Sequence, residues 1–107
     1  MAWTYPQTGA SLGRGQFLLQ TRATDTDGTP VRDVTFKYAK NSSAGTPGTF
    51  VAIFTDTSPN VDGLYTALWD NKSLVSGSYT LHVILTDTIS TPYKPHFTTT
   101  DIVVIIQ

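Results

Sequence analysis

Apolar and polar residues alternate with a period of two over much of this chain. Residues 15–25 place Phe17, Leu19, Thr21 and Ala23 on one face and mainly polar side chains on the other. This period is typical of a β-strand that buries one face. Further strands are predicted at 31–40, 49–56, 64–70 and 78–87.

Strands are also predicted at the two ends of the chain, with a long loop before the last one. Residues 2–5 (AWTY) are predicted as the first strand, with a second piece near Ser11–Leu12. Residues 98–107 (TTTDIVVIIQ) are apolar on both faces, which is typical of a strand that is covered on both sides or partly lines a junction. Residues 88–97 (TISTPYKPHF) contain proline and are predicted as a long loop.

These segments indicate about seven short strands separated by turn signals, which is the pattern of a β-sandwich. A length of 107 residues fits one domain with one core. A propeller needs several blades of about 40–45 residues each, and no repeat is visible. The Trp69-Asp70 pair is therefore not interpreted as a propeller signature.

The composition supports an all-β fold and excludes several functions. All eight acidic residues are Asp, and threonine, which favours strands, is abundant. The net charge is −1 with scattered basic residues, which argues against nucleic acid or an anionic membrane as a partner. The absence of cysteine excludes disulfides and thiolate chemistry. No apolar run approaches the roughly 20 residues of a membrane helix, so we expect no membrane insertion.

Two stretches carry motifs of a known family. Residues 65–87 contain YxAxWD, LxxGxYxLxV and a final Asp, and residues 23–36 contain ATDTDG followed by VxxVxF. They resemble bacterial immunoglobulin-like (Big-type) domains, which are accessory domains of secreted hydrolases, proteases and surface proteins. The resemblance implies an immunoglobulin-like Greek-key β-sandwich of about seven antiparallel strands in two sheets.

The aromatic residues of these motifs are predicted to belong to the core. Trp69 shares a face with Tyr65 and Ala67, and this face should pack on the opposite sheet. Tyr79 follows Gly77 by two residues at a strand start, as in a tyrosine corner. Its ring should be buried and its hydroxyl bonded to nearby backbone.

The sequence offers little for catalysis. Its two histidines are His82, expected to face solvent or lie at a sheet edge, and His96 in the predicted loop. Asp87 and His96 could meet there, but no third catalytic group accompanies them. Hydrolytic and phosphate-binding motifs are missing. We therefore predict that the chain is not an enzyme and has no catalytic residues.

The aspartates are predicted to gather at one end of the sandwich. Asp25 and Asp27, Asp56 and Asp62, and Asp87 fall in three connections that share that end in this topology. Carboxylate oxygens are ligands that Ca²⁺ prefers. One hypothesis is a calcium site formed by Asp25, Asp27 and Asp87 at a junction with the preceding domain. The alternative is that these residues form turns and keep the surface soluble.

The main functional hypothesis is a non-catalytic module. Residues 1–107 are expected to form a single immunoglobulin-like domain cut out of a larger multidomain protein. It would act as a structural spacer or an interaction or adhesion domain, outside the cell or on its surface. Its partners would be neighbouring domains of the same chain and a protein or glycan ligand.

The alternative hypothesis is a carbohydrate-binding accessory module of a secreted enzyme. Trp3, Tyr5 and Tyr93 have no clear core position, and exposed coplanar aromatic rings stack on sugars. The other interpretation of Trp3 and Tyr5, which are near one end of the chain, is packing against a neighbouring domain or the edge of the sandwich. The chain also has two glycosylation sequons, at Asn41 and Asn71, which matter only in a glycosylating secretory pathway.

Overall fold

The computed structural model describes residues 2–22, 31–59, 63–90 and 95–107, with the backbone alone at 2, 31–32, 87–90 and 95–98. These residues form two sheets and contain no helix, so the all-β prediction is confirmed. One sheet has the order β1-β3-β6 and the other β2-β8-β7-β4-β5. The strands are β1 (Ala2–Tyr5), β2 (Ser11–Leu12), β3 (Gln16–Arg22), β4 (Val31–Lys40), β5 (Val51–Asp56), β6 (Leu64–Asp70), β7 (Gly77–Ser90) and β8 (Pro95–Ile106).

The two predicted pieces of the first strand are confirmed, and the structure places them in different sheets. β1 pairs antiparallel with β3, whereas β2 pairs with β8 in the other sheet. The β2–β8 pair is parallel, so the expectation of antiparallel strands throughout was wrong at this point. A chain that changes sheets holds the two layers together along this side of the sandwich.

The core lies between the inner faces that the alternation predicted. Leu19, Val34, Phe36 and Leu81 are completely buried. Trp69 packs beside Tyr38 and Tyr79, with ring centroids 5.6 and 6.3 Å away. The buried apolar cluster consists of Leu12, Leu19, Val34, Phe36, Tyr65, Ala67, Trp69, Tyr79, Leu81, Val83, Leu85, Ile102, Val104 and Ile106.

The tyrosine corner is confirmed. The hydroxyl of Tyr79 donates a hydrogen bond of 2.7 Å to the backbone carbonyl of Val75, and its ring is buried. Gly77 precedes it with φ of +147°, a conformation that side-chain-bearing residues rarely adopt. Burial raises the pKa of the Tyr79 phenol, because the anion loses hydration there.

The prediction of a loop at residues 88–97 was wrong. β7 continues to Ser90 and β8 begins at Pro95, and these two residues pair with each other. The hairpin therefore extends beyond β4, whose pairing with β7 ends at Val31 and Asp87. Pro95 is compatible with this arrangement because proline is tolerated at the first residue of a strand. Residues 91–94 lie outside the described part of the chain.

The prediction that the last strand is covered on both faces was also wrong. Ile102, Val104 and Ile106 are buried, but Val103 and Ile105 are each 40% exposed on the outer face. β-Branched residues favour strands even where no second layer covers them. An apolar run therefore did not distinguish a covered strand from a half-exposed one.

Candidate functional site

The predicted calcium ligands are placed only in part. Asp25 and Asp27 lie outside the described residues, and Asp87 is described by its backbone alone. Asp87 lies within β7, not in a loop, and pairs with Val31, the first residue of β4. Among the described side chains, no group of three or more His, Cys, Asp or Glu could hold a metal ion. The calcium site stays a prediction.

Asp56, which was expected at the same acidic end, has a structural role. Its two carboxylate oxygens accept hydrogen bonds from the backbone N–H groups of Ser58, at 3.1 Å, and Thr66, at 2.9 Å. The bond to Thr66 links the end of β5 to the free edge of β6 in the other sheet. Asp56 therefore connects the two sheets through a side chain. Asp62 lies outside the described residues.

The three aromatic residues proposed to contact glycans do not share one environment. The Trp3 ring is half-buried and lies edge-on to Phe36, with centroids 5.8 Å apart, so the expectation that it is exposed was wrong. Tyr5 is 41% exposed. A register shift between them changes the direction of their side chains, so their spacing of two does not place them side by side. Tyr93 lies outside the described residues, and glycan contact stays a prediction.

His82 forms a cluster that sequence reasoning missed. It lies on the outer face of β7, opposite the buried Leu81 and Val83, as the alternation predicted. Because β7 is a central strand, the alternative position at a sheet edge was wrong. Its Nδ1 contacts Oδ1 of Asp101 on β8, and its cross-strand neighbour on β4 is Lys37. The Phe50 ring lies over the imidazole, with centroids 4.8 Å apart. This arrangement fastens residue 50 onto the sheet, and the side chain of His82 is only 18% exposed.

Both sequon asparagines are buried and serve as hydrogen-bonding groups. Asn71 accepts from the N–H of Gly15 at 2.8 Å and donates to the carbonyl of Gly13 at 3.2 Å. Asn41 accepts from the hydroxyl of Thr80 at 2.7 Å. A glycan joined to Nδ2 of Asn41 or Asn71 would need space that these side chains, 6% and 0% exposed, do not have. The sequons are therefore incompatible with glycosylation of the folded domain.

An apolar groove lies on the side of the sandwich formed by β5 and β6. Its most exposed side chains are Leu18 at 46%, Phe54 at 55% and Leu68 at 56%. Leu18 and Leu68 are directly paired across β3 and β6. The groove has a volume of about 320 Å³ and is lined by Leu18, Ile53, Phe54, Thr66, Ala67 and Leu68. Thr66 is the one polar residue of this lining and no charged residue is part of it, so the groove suits an apolar contact.

Comparison with known proteins gives one match. A family model described as a bacterial Ig domain matches residues 1–83, which is more than half of the chain. The matched part includes Trp69 and the tyrosine corner at Tyr79. No curated protein and no solved structure matches the chain. The described residues include no helix of the length and apolar character needed to cross a bilayer.

Proposed function

Because the chain belongs to the bacterial Ig domain family, we propose that it is a non-catalytic structural and interaction module of an extracellular or cell-surface multidomain protein. Domains of this family are generally non-catalytic and are commonly extracellular or surface-located. Its partners would be the neighbouring domains of the same protein. Adhesion would use its exposed loops and edges.

The position of the chain ends carries this proposal. Ala2 pairs with Arg22, the last residue of β3, after which the chain passes to the start of β4. Ile106 pairs with Gly77, at the other end of the same strand that contains Asp87. Ten residues of strand separate Gly77 from Asp87, which corresponds to about 34 Å. Neighbouring domains would therefore be attached at opposite ends, as a spacer requires.

The use of the polar side chains supports a non-catalytic role. Hydrogen bonds within the domain engage the side chains of Asn41, Asn71 and Asp56. His82 is engaged with Asp101 and covered by Phe50. A catalytic site needs a nucleophile, a base and an orienting group around a concave space. The described groove is apolar, so these elements do not come together there.

The cellular location is tested on intact cells that produce the parent protein. An antibody raised against this domain should label intact cells, or its antigen should be found in the medium. Labelling that appears only after lysis would contradict the extracellular location. An antibody against a cytoplasmic protein serves as the control for cell integrity.

The spacer role is tested in the full-length parent protein. Small-angle scattering should show a maximum dimension shorter by about 34 Å after removal of residues 1–107. A flexible Gly/Ser segment of equal length is the matched control, because it keeps the connection without its stiffness. If deletion leaves the dimension unchanged, or the flexible segment reproduces the native distance distribution, the spacer proposal is wrong.

A further inference from the structure

The first and last parts of the chain are bonded to each other along one side of the sandwich. β2 pairs in parallel with β8, in the register Ser11↔Ile105 and Leu12↔Ile106. The contact is longer than the two residues of β2, because the residues before it also bond to β8. We call residues 8–12 and 103–107 together the terminal clamp.

Hydrogen bonds hold the terminal clamp at regular intervals. Backbone N–H groups donate to backbone carbonyls from Gly9 to Val103 at 2.6 Å, from Ile105 to Ala10 at 2.8 Å and from Gln107 to Leu12 at 3.0 Å. Side-chain hydroxyls also accept, that of Thr8 from the N–H of Val103 at 3.3 Å and that of Ser11 from the side-chain amide of Gln107 at 2.8 Å. On β8 the bonded residues lie at every second position, as in a parallel ladder. The bonds are therefore spread over the full length of both segments.

The directions of the strands determine how a pull on the two ends of the chain acts on this clamp. Ala2 lies at the end of β3, and Ile106 lies at the start of β7. The starts of β3 and β7 share one end of the sandwich, because Arg14, just before β3, donates to the hydroxyl of Ser76, just before β7, at 3.1 Å. Ala2 and Ile106 are therefore at opposite ends, and a pull between them acts along the strands.

Such a pull loads the terminal clamp in shear. It draws residues 8–12 toward one end of the sandwich and residues 103–107 toward the other, parallel to both strands. Interstrand hydrogen bonds lie across the strands, so all of them are loaded together and share the force. A pull that separates two paired strands from one end breaks their bonds one after another instead. The shear geometry therefore resists a larger force than the opening of a hairpin.

We propose that the terminal clamp gives the domain a mechanical function, which is to resist a pulling force between its two ends. The inference rests on the proposed spacer function, because domains attached at both ends transmit tension through the spacer. Forced unfolding is governed by the rate of unfolding and not by the equilibrium stability. The clamp slows the step in which the N-terminal segment leaves β8, so the domain stays folded under tension until the clamp bonds break together.

The residues before the clamp brace it. β1 pairs with β3 in the other sheet, and the indole of Trp3 donates to the carbonyl of Thr100 on β8 at 3.4 Å. Residues 2–12 are therefore bonded to both sheets, and both attachments must break before this segment leaves. The hydroxyls of Thr35 and Thr55, which are 2.9 Å apart on β4 and β5, lie outside this load path.

The direction of pulling tests the geometry in single-molecule force spectroscopy. The chain contains no cysteine, so Val75→Cys gives a single attachment point at a 60% exposed position just before β7. When the chain is held at this point and at its C-terminus, the pull acts on one end of the β7–β8 pair, whose bonds open in succession. When the same variant is held by its two ends, it should unfold at a force at least about twofold higher, because the clamp bonds are loaded together.

Substitutions in the clamp test its contribution at a constant force between the two ends. Ile105→Pro removes the N–H that donates to Ala10 and should speed unfolding at least about tenfold. Thr8→Ala combined with Ser11→Ala removes both hydroxyl acceptors and should speed unfolding about fivefold. Thr55→Ala removes one hydroxyl bond outside the load path and is the matched control, which should change the rate by less than about twofold. Urea denaturation checks that each variant is folded.

Two results would overturn the proposal. One is an end-to-end unfolding force that is less than about twofold above the force measured between Val75→Cys and the C-terminus. The other is an unfolding rate at constant force that is the same for the combined Thr8→Ala and Ser11→Ala variant as for Thr55→Ala. This comparison decides alone if Ile105→Pro does not fold. Spacer length and cellular location are measured separately on the parent protein, so a weak clamp leaves the proposed function standing.

Discussion

The two sides of this sandwich are closed by different means. On the side of β1, β2 and β8, the chain itself crosses between the sheets, and the indole of Trp3 donates to the carbonyl of Thr100 at 3.4 Å. Ile105 donates to the carbonyl of Ala10 at 2.8 Å on the same side. On the side of β5 and β6, the Asp56 carboxylate reaches Thr66, while Phe54 stays exposed.

The two sides of the sandwich differ in how far their side chains contribute to stability. The closed side uses backbone bonds and a half-buried indole, so its side chains are committed to the fold. The open side holds the sheets with one carboxylate and leaves apolar side chains accessible. Substitutions should therefore reduce the free energy of unfolding more on the closed side than at the exposed apolar side chains of the open side.

The largest effect is expected at the core that both sides share. Trp69→Ala should reduce the free energy of unfolding by about 3–5 kcal/mol, because it removes a large buried side chain and leaves a cavity. Urea denaturation measures this loss. Leu68→Ala is the control, because Leu68 directly precedes Trp69 but is 56% exposed. This variant should change stability by about 0.5 kcal/mol or less. Similar losses for the two variants would contradict the assigned core.

The next effect compares the two sides directly. Trp3→Ala should cost about 2–3 kcal/mol, less than a fully buried aromatic, because the ring is half-buried against Phe36. Phe54→Ala on the open side should stay within about 0.5 kcal/mol. Thermal and urea unfolding of the pair measure the difference. Equal losses would show that the open side is as important for stability as the closed side.

Removal of the Asp56 carboxylate, which caps the open side, is expected to cause a moderate loss of stability. Asp56→Ala should cost about 1–2 kcal/mol, because two backbone N–H groups lose a charged acceptor. Asp70→Ala is the control, since within the described part of the chain its carboxylate accepts one hydrogen bond, from the backbone N–H of Lys72 in an exposed turn. Hydrogen exchange of the Thr66 amide should accelerate in Asp56→Ala only. An unchanged exchange rate of the Thr66 amide in Asp56→Ala would show that Asp56 does not cap it.

A smaller effect of opposite sign is expected at Thr21, which pairs with Trp3. The Thr21 hydroxyl is completely buried and has no hydrogen-bond partner among the described residues, so Thr21→Val should raise stability by about 1 kcal/mol. Thr80→Val is the matched control. Thr80 donates to Asn41, and its replacement should lower stability instead. Loss of stability in both variants would mean that Thr21 has a partner after all.

The smallest effect is an alkaline loss of stability. Burial raises the pKa of the Tyr65 phenol, and the negative charge of the nearby Asp56 raises it further. Burial also raises the pKa of Tyr79. The unfolded chain then loses its phenol protons first, so stability is complete below about pH 10 and falls as pH rises above it. Tyr65→Phe and Tyr79→Phe should each flatten this decline in urea titrations. Asp56→Asn should reduce the contribution of Tyr65 but not that of Tyr79.

Sequence reasoning located the core because a period of two is a local property. The buried position of Trp69 followed from its spacing to Tyr65 and Ala67, and the role of Tyr79 from the tyrosine corner of immunoglobulin-like folds. The hairpin at 88–97 did not, because proline and polar residues occur equally in loops and in exposed paired strands. Pairing depends on a second strand whose register no local pattern gives.

The functional residues were less predictable for the same reason. A sequon has the same letters whether its asparagine is exposed or, as Asn71 here, completely buried. His82 and Asp101 meet only through the register of β7 and β8. Phe54 alternates as a core residue would, and its exposure follows from the length of the opposite sheet.

The divided first strand also has a consequence for the order in which the domain is made. The Trp3–Thr100 bond joins residues 97 positions apart, and the Gln107–Ser11 bond joins residues 96 apart. A chain synthesised from its N-terminus can pair β3 with β6 and β4 with β5 well before β8 emerges. Until then β2 has no partner strand and Trp3 no acceptor at Thr100. Closure of the sandwich therefore waits for the last strand to leave the ribosome.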